Sequence, residues 1–340
     1  MRTLLALALL VTPVAMAQQT LTFVDSENPG AGPCGITTTM GRNTFLLTGS
    51  HFEDRITSYR VLNNGALEPG GTANVAPGSM PAAIGFGWGR FAVVANKASS
   101  DLYVFRMNRS GQFTQVGQPV STQGVNPVDM VVSRAGLVAV ANNMSDELST
   151  FWLDPRGGLH FLDKINTGLA PTGVAVSGTR IAVANSGSAD VSVFRLNRLR
   201  NLQLESTTSI NANPVDLAFG AGNNLYVSSS PAQQGAQSKL FHLRLNRRNG
   251  SLTQVSSVDA GLFLSGLTAD NQSVYGATVN ASGQNEIRVY DRRLNQTASA
   301  TLASPPNTMT LAVARAGRRS TDVFLNEFNN NTTSSFRLER

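Results

Sequence analysis

Three stretches of this chain carry the same tripeptide in the same setting: Val-Ala-Asn at 94–96, 140–142 and 183–185. In each, the asparagine precedes a phenylalanine by nine residues, pairing Asn96 with Phe105, Asn142 with Phe151 and Asn185 with Phe194. Unrelated strands do not share a register to the residue, so the chain reads as a tandem repeat. Pro33, Pro81, Pro127, Pro171, Pro214, Gly261 and Pro306 mark the unit starts, at intervals of 48, 46, 44, 43, about 47 and about 45 residues.

Each unit contains short runs that alternate apolar with small or polar residues, the period of strands with one buried face. The unit from Pro127 shows four of them: VDMVVS, LVAVANN, ELSTFWLD and LHFLDKIN. Seven such units predict an all-β fold, a seven-bladed β-propeller of four-stranded antiparallel blades. After Pro306 there is room for only three strands, MTLAVARA, DVFLNEF and SSFRLER. Residues 21–24 are the spare strand, expected outermost in the last blade, where they close the ring and remove open sheet edges. No window sustains a 3.6-residue apolar stripe, so helix is not expected.

Residues 1–17 have one positive charge, an apolar run and a small-residue end, Ala15-Met16-Ala17. That pattern reads as a secretory signal peptide, leaving 18–340 as a single propeller domain destined for the periplasm, the cell surface or the medium. No later run approaches the roughly 20 apolar residues of a membrane span. Cys34 is the single cysteine, so no internal disulfide can form and packing with strand pairing must carry the fold.

The Val-Ala-Asn strands, the SVFRL-like strands after them and the N-x-x-G-x-L turns (NRSGQFTQVG at 108–117, NRRNGSLTQVS at 246–256) resemble the lactonase-like seven-bladed propellers. That group includes 6-phosphogluconolactonase-like and carboxymuconate-cyclase-like proteins and is related to the YVTN-repeat propellers. The resemblance spans all seven units. It implies arginine, histidine and glutamate side chains at the channel mouth, acting on a small acidic lactone. It assigns no individual catalytic residue here.

Read residue by residue, Asn96, Asn142 and Asn185 either hold turn backbone or line one mouth of the channel as amide donors. Asp129 and Asp216, each in a Pro-Val-Asp sequence, begin innermost strands and either cap turns or meet a ligand near that mouth. The phenylalanine series is expected between blades. His160 and His242 fall on outer and third strands, away from the channel. His51, Glu53, Asp54 and Arg55 share one loop of the first unit, GSHFEDR. Opening a lactone needs a base and a donor for the developing oxyanion, so His51 or Glu53 with Arg55 forms the candidate catalytic set.

Propeller topology sorts the charges onto two faces. Acids such as Glu53, Asp101, Asp146 and Asp190 fall in the loops between second and third strands, or beside them, on what we call the upper face. The lower face collects arginine: Arg198, Arg200, Arg247, Arg248, Arg292 and Arg293 between third and fourth strands, and Arg318 and Arg319 between first and second. Of the 27 basic residues, 24 are arginine, and the net charge is +6. Such a face would attract a small acidic ligand or an anionic polymer. A protein partner at the cell envelope is also open. Without aromatics beside these turns, nucleic acid is expected only through non-specific charge. No sequence pattern for a metal, a nucleotide or another cofactor occurs. Two functions follow: an exported binding protein using the arginine face, or a metal-independent lactonase acting at the opposite mouth.

Overall fold

The alternating runs become strands where the repeat places them. The computed structural model describes residues 19–39, 43–231, 236–317 and 319–340. Residues 1–17, which the sequence reading expects to be a signal peptide, lie outside these. Seven sheets surround a central channel. Blade 3 is Pro127–Val132, Leu137–Asn142, Glu147–Leu153 and Leu159–Asn166 in that order from the axis outward. Blade 4 repeats it with Pro171–Ser177, Arg180–Asn185, Asp190–Leu196 and Leu202–Ser209.

Blade 7 takes three strands from the C-terminus, Met309–Arg315, Ser320–Glu327 and Thr332–Glu339, and its fourth from Thr20–Glu27. The pairing runs from Thr20 opposite Glu339 to Glu27 opposite Thr333. Phe23 meets Phe336 edge-on at 5.6 Å across this seam, and Leu21 is buried within the same core.

Burial explains the spacing of the repeat. Second strands such as Phe91–Asn96 and Leu137–Asn142 are buried at every residue, whereas outer strands keep one face in water. The core lies between blades. Phe105 shares a core with Phe45, Leu47 and Ile56 of the preceding blade, and Phe194 shares one with Ala139 and Leu148. Ala95, Ala141 and Ala184 are fully buried, small enough for neighbouring sheets to approach.

Three local departures from the repeat have visible causes. The inner strand of blade 6 begins at Gly266 rather than beside Gly261, because residues 262–265 hook onto the second strand through Leu262 N–H to Val279 and Ser265 N–H to Ala277. That of blade 7 begins at Met309, past Pro305 and Pro306, which have no N–H to contribute. The outer strand of blade 2 is split into Phe113–Gln115 and Val120–Ser121 by Gly117, at φ 69°, and Pro119. Among the described residues the sole helical element is one 3-10 turn, Phe328–Asn330.

Candidate functional site

The inner strands of blades 1 to 5 enter the ring through an irregularity just after the opening proline. In blades 2 to 5 the register slips between Pro81 and Ala83, Pro127 and Asp129, Pro171 and Gly173, and Pro214 and Asp216. A bulge of this kind re-aims the following side chain. In blades 3 and 5 that side chain is an aspartate. Asp129 accepts N–H bonds from Met130 at 2.8 Å and from Val174 of blade 4 at 2.7 Å. Asp216 accepts from Leu217 at 2.7 Å and from Leu267 of blade 6 at 2.9 Å. Gly173 leaves the space between them, since a Cβ there would sit 3.1 Å from Asp216 Cα.

The channel these strands enclose has a volume of about 1030 Å³. Its wall is mostly aliphatic, with Ile84, Met130, Val174 and Leu217 among its members. Burial pushes both aspartates above the ordinary carboxylate pKa, and the Asp129 charge raises Asp216 further. Cys34, also in the wall, has its thiol pushed up to about 12 by burial. Among the described residues that line the channel there is no histidine, lysine or glutamate, and the one arginine is Arg134.

The loop 51–55 sits on the upper rim, outside that lining. Its side chains are engaged separately. His51 places Nδ1 3.2 Å from the Pro81 carbonyl of blade 2, and its ring meets Phe52 and Phe328 edge-on at 5.1 and 5.7 Å. Burial lowers its pKa, which favours the neutral imidazole. Glu53 pairs with Arg55 at 3.0 Å, and together they grip the segment ahead of blade 1. Glu53 accepts the Ala31 N–H, and Arg55 donates to the Pro29 carbonyl. Asp54 accepts the Gly78 and Met80 N–H groups. Asn143 makes the same kind of bond as His51, donating to the Pro171 carbonyl of the next blade at 3.0 Å.

Asn96, Asn142 and Asn185 lie inside the blades, fully buried, and do not line the channel. Each Nδ2 ties its own hairpin. Asn96 donates to Asp101 at 2.8 Å, Asn142 to Ser149 at 2.8 Å, and Asn185 to Asp190 at 2.7 Å and Ser192 at 3.0 Å. Other upper-face acids are similarly occupied. Asp146 accepts the Ala170 N–H at 2.7 Å, Glu147 pairs with Lys164 at 2.7 Å, and Glu286 with Arg288 at 2.8 Å.

The lower face differs. In five successive blades the turn between third and fourth strands is built on one side chain that accepts turn N–H groups. Asn108 accepts from Ser110 and Gln112, Asp154 from Arg156 and Gly158, and Asn197 from Leu199 and Asn201. Asn246 accepts from Arg248, and Asp291 from Arg293 and Asn295. With the turn closed from inside, its intervening residues are left in solvent. These are Arg109, Arg156, Arg198, Arg200, Arg247, Arg248, Arg292 and Arg293, all exposed. Arg200 lies over the Trp152 ring at 4.9 Å, and Arg247 donates to the Gly222 carbonyl at 3.4 Å. None of the eight has a carboxylate within ion-pair distance among the described residues. Arg319 is exposed on the same face, while Arg318 lies outside the described residues.

Residues 70–176 match the family model described as Lactonase, 7-bladed beta-propeller. A periplasmic gluconolactonase from Pseudomonas aeruginosa is similar in structure, at TM-score 0.60 and 18% identity over 79% of this chain and 85% of that one. A provisional 6-phosphogluconolactonase from Bacteroides uniformis gives TM-score 0.65 and 17% identity over 77% and 83% of the two chains. The chain is a seven-bladed β-propeller whose residues 70–176 resemble the lactonase propellers. The virginiamycin B lyase of Staphylococcus aureus shares the architecture as well, at TM-score 0.65 and 10% identity over 94% and 99% of the two chains. No curated protein sequence matches significantly.

In this propeller, Asp129 and Asp216 are the candidates that reach the channel wall, and His51, Glu53 and Arg55 remain on the rim. The arginine turns converge by blade repetition on the other face. A cleft of about 520 Å³ between blades 5 and 6 joins His242 and Arg244 to Arg292 and Arg293. Its residues come from two blades and share no local sequence pattern, so only the folded ring brings them together. A charged residue at the far end of a third strand was the one available signal.

Proposed function

We propose that this protein is a binding protein that engages an anionic partner through the arginine arc of its lower face. The observation that supports the reading is the repeated turn, which holds eight exposed arginines in five adjacent blades without carboxylate partners. Guanidinium groups grip phosphate, sulfate or carboxylate through paired, charge-assisted hydrogen bonds. Turns already fixed by their own side chains order the backbone before binding, which lowers the entropic cost of association. The upper-face acids engage their own hairpins and local cations rather than these arginines. The leader at 1–17 would place the arc outside the cytoplasm; N-terminal sequencing of the mature protein tests that step.

The binding test is retention on immobilised heparin, eluted with salt. Reversal of Arg247, Arg248, Arg292 and Arg293 to glutamate should move elution to much lower salt, since exposed charge contacts are screened over about 10 Å at 0.1 M. Unchanged elution from a folded variant would reject the reading.

A second reading, a lactonase acting on a small carboxylated lactone at the upper mouth, is favoured by the family match over 70–176. Turnover of a lactone panel by wild type and His51→Ala tests it, and equal turnover by both removes His51 as the base.

A further inference from the structure

Within the arc one place differs from an open array of surface charges. Between blades 5 and 6 the lower face folds into a cleft of about 520 Å³, within the size range of small-ligand sites. Its base is rigid. Tyr226 of blade 5 donates its hydroxyl to the Arg292 carbonyl of blade 6 at 3.0 Å, and His242 stacks on Tyr226 at 5.0 Å. Arg244, Arg292 and Arg293 border the cleft, and none of their guanidinium groups is ion-paired among the described residues. The one carboxylate present, Asp291, is occupied by the N–H groups of Arg293 and Asn295 and by the Asn295 amide at 2.8 Å.

His242 supplies a second, independent observation. It is 4% exposed, its Nε2 lies 2.9 Å from Asn224 Oδ1, and Asn224 Nδ2 donates in turn to the Ala221 carbonyl at 3.0 Å. That chain makes Nε2 the protonated nitrogen and leaves Nδ1 as an acceptor. Nδ1 is buried and bonded to nothing in the protein, alone among the side chains lining the cleft. A buried polar atom without a partner is costly, and a ligand hydroxyl would satisfy it. Gln272 has its Oε1 engaged by Arg340 at 2.6 Å, which leaves its NH2 group as an amide donor at the cleft.

We infer that the cleft between blades 5 and 6 is a specific site for a phosphoryl group, held by Arg244, Arg292 and Arg293, with a P–OH proton accepted at His242. The three cations and the amide donor match the phosphoryl oxygens, and a monoprotonated phosphate carries the hydroxyl that Nδ1 lacks. A fully ionised sulfate offers no such proton. The inference rests on the arginine-face reading and adds to it a defined subsite with one class of ligand.

Calorimetric titration of the intact mature protein with inorganic pyrophosphate is the test, with inorganic sulfate as the comparison. The expected result is one saturable pyrophosphate site per chain, weakened at least about tenfold in Arg244→Gln and in Arg292→Gln, unchanged in Arg60→Gln, an exposed blade 1 arginine outside the arc that pairs with Glu68, and tighter than for sulfate. His242→Phe keeps the stack on Tyr226 and should remove the preference for pyrophosphate over sulfate. Absence of saturable binding, or equal weakening by Arg60→Gln, overturns the site. Heparin retention measured on the same variants separates the two levels. If retention still depends on the arc while pyrophosphate fails, the subsite falls alone; if retention is also indifferent to every arginine, the arginine-face reading falls with it.

Discussion

The carboxylate of Asp129 on blade 3 accepts the backbone N–H of Val174 on blade 4 at 2.7 Å. Two joints further round, Asp216 on blade 5 does the same for Leu267 on blade 6 at 2.9 Å. The innermost strand is a sheet edge, so its channel-side N–H groups have no ladder partner. A carboxylate from the neighbouring blade supplies one, and the ring is stitched across these two joints by side chain to backbone bonds. Elsewhere hydroxyls do similar work: Thr172 donates to the Pro214 carbonyl at 3.1 Å and Thr38 to that of Val313 at 2.9 Å.

This stitching predicts a dependence of stability on pH. Both carboxyls are raised above the ordinary value of 3.8, by burial first and, at Asp216, by the Asp129 charge next. Above about pH 4 the folded protein therefore retains protons that the unfolded chain has released, so the pair's contribution falls as pH rises toward neutrality. Asp216→Asn removes the titration at that position. Thermal melts at pH 5 and pH 8 should show a smaller decline for the variant than for wild type. An equal decline would assign the dependence to other groups.

A second prediction concerns the hairpin asparagines. Asn185→Ala deletes the bonds to Asp190 and Ser192 and leaves the buried Asp190 carboxylate without that donor. Loss of a bond to a charged, buried partner costs about 2 kcal/mol. Urea denaturation should report a fall of that order, while heparin retention stays at the wild-type value. A change in retention instead would give Asn185 a place in binding.

The asparagine register also shows how much of the molecule is legible in its sequence. Nine residues from Asn185 to Phe194 are one hairpin, so its strands, turn and buried faces are local properties that the repeat exposes. The ring closure is legible for the same reason, since seven blades with three strands in the last leave one strand to find. Contacts between blades are not. Asp129 and Val174 are 45 positions apart, and nothing in Pro-Val-Asp says that the carboxylate crosses a joint rather than caps its own turn. The loop 51–55 misleads through proximity: four polar residues adjoin in the chain, yet His51 turns to Pro81 while Glu53 and Arg55 turn to 29–31. The arginine arc is intermediate. Each turn is local, and the face they share is a consequence of topology.

The closure of the ring makes a third prediction. Leu21 is buried in the core that includes Leu338 and Phe336, and its strand covers the edge of Thr332–Glu339. Leu21→Ala should destabilise by about 2 to 3 kcal/mol, as truncation of a buried leucine does. Removing residues 19–27 altogether should do more than lower the melting temperature, because an unpaired edge recruits other chains. Light scattering on warming should rise earlier for the truncation than for Leu21→Ala. Matching scattering curves would mean that the edge is protected in another way.

The last prediction turns on the equivalence of His51 and Asn143. Each is the first residue past its second strand, and each bonds through a side-chain nitrogen to the opening proline carbonyl of the next blade, Pro81 or Pro171. If that bond is the function of His51, asparagine should replace it. His51→Asn should then melt close to wild type, whereas His51→Ala loses about 1 kcal/mol with the bond. Neither should alter heparin retention, since the loop lies on the opposite face from the arginine turns. If His51 is instead a base for lactone opening, the asparagine variant keeps its stability and loses turnover, because an amide does not accept a proton at neutral pH. Stability and turnover measured on this one substitution therefore separate the inter-blade role from the catalytic one.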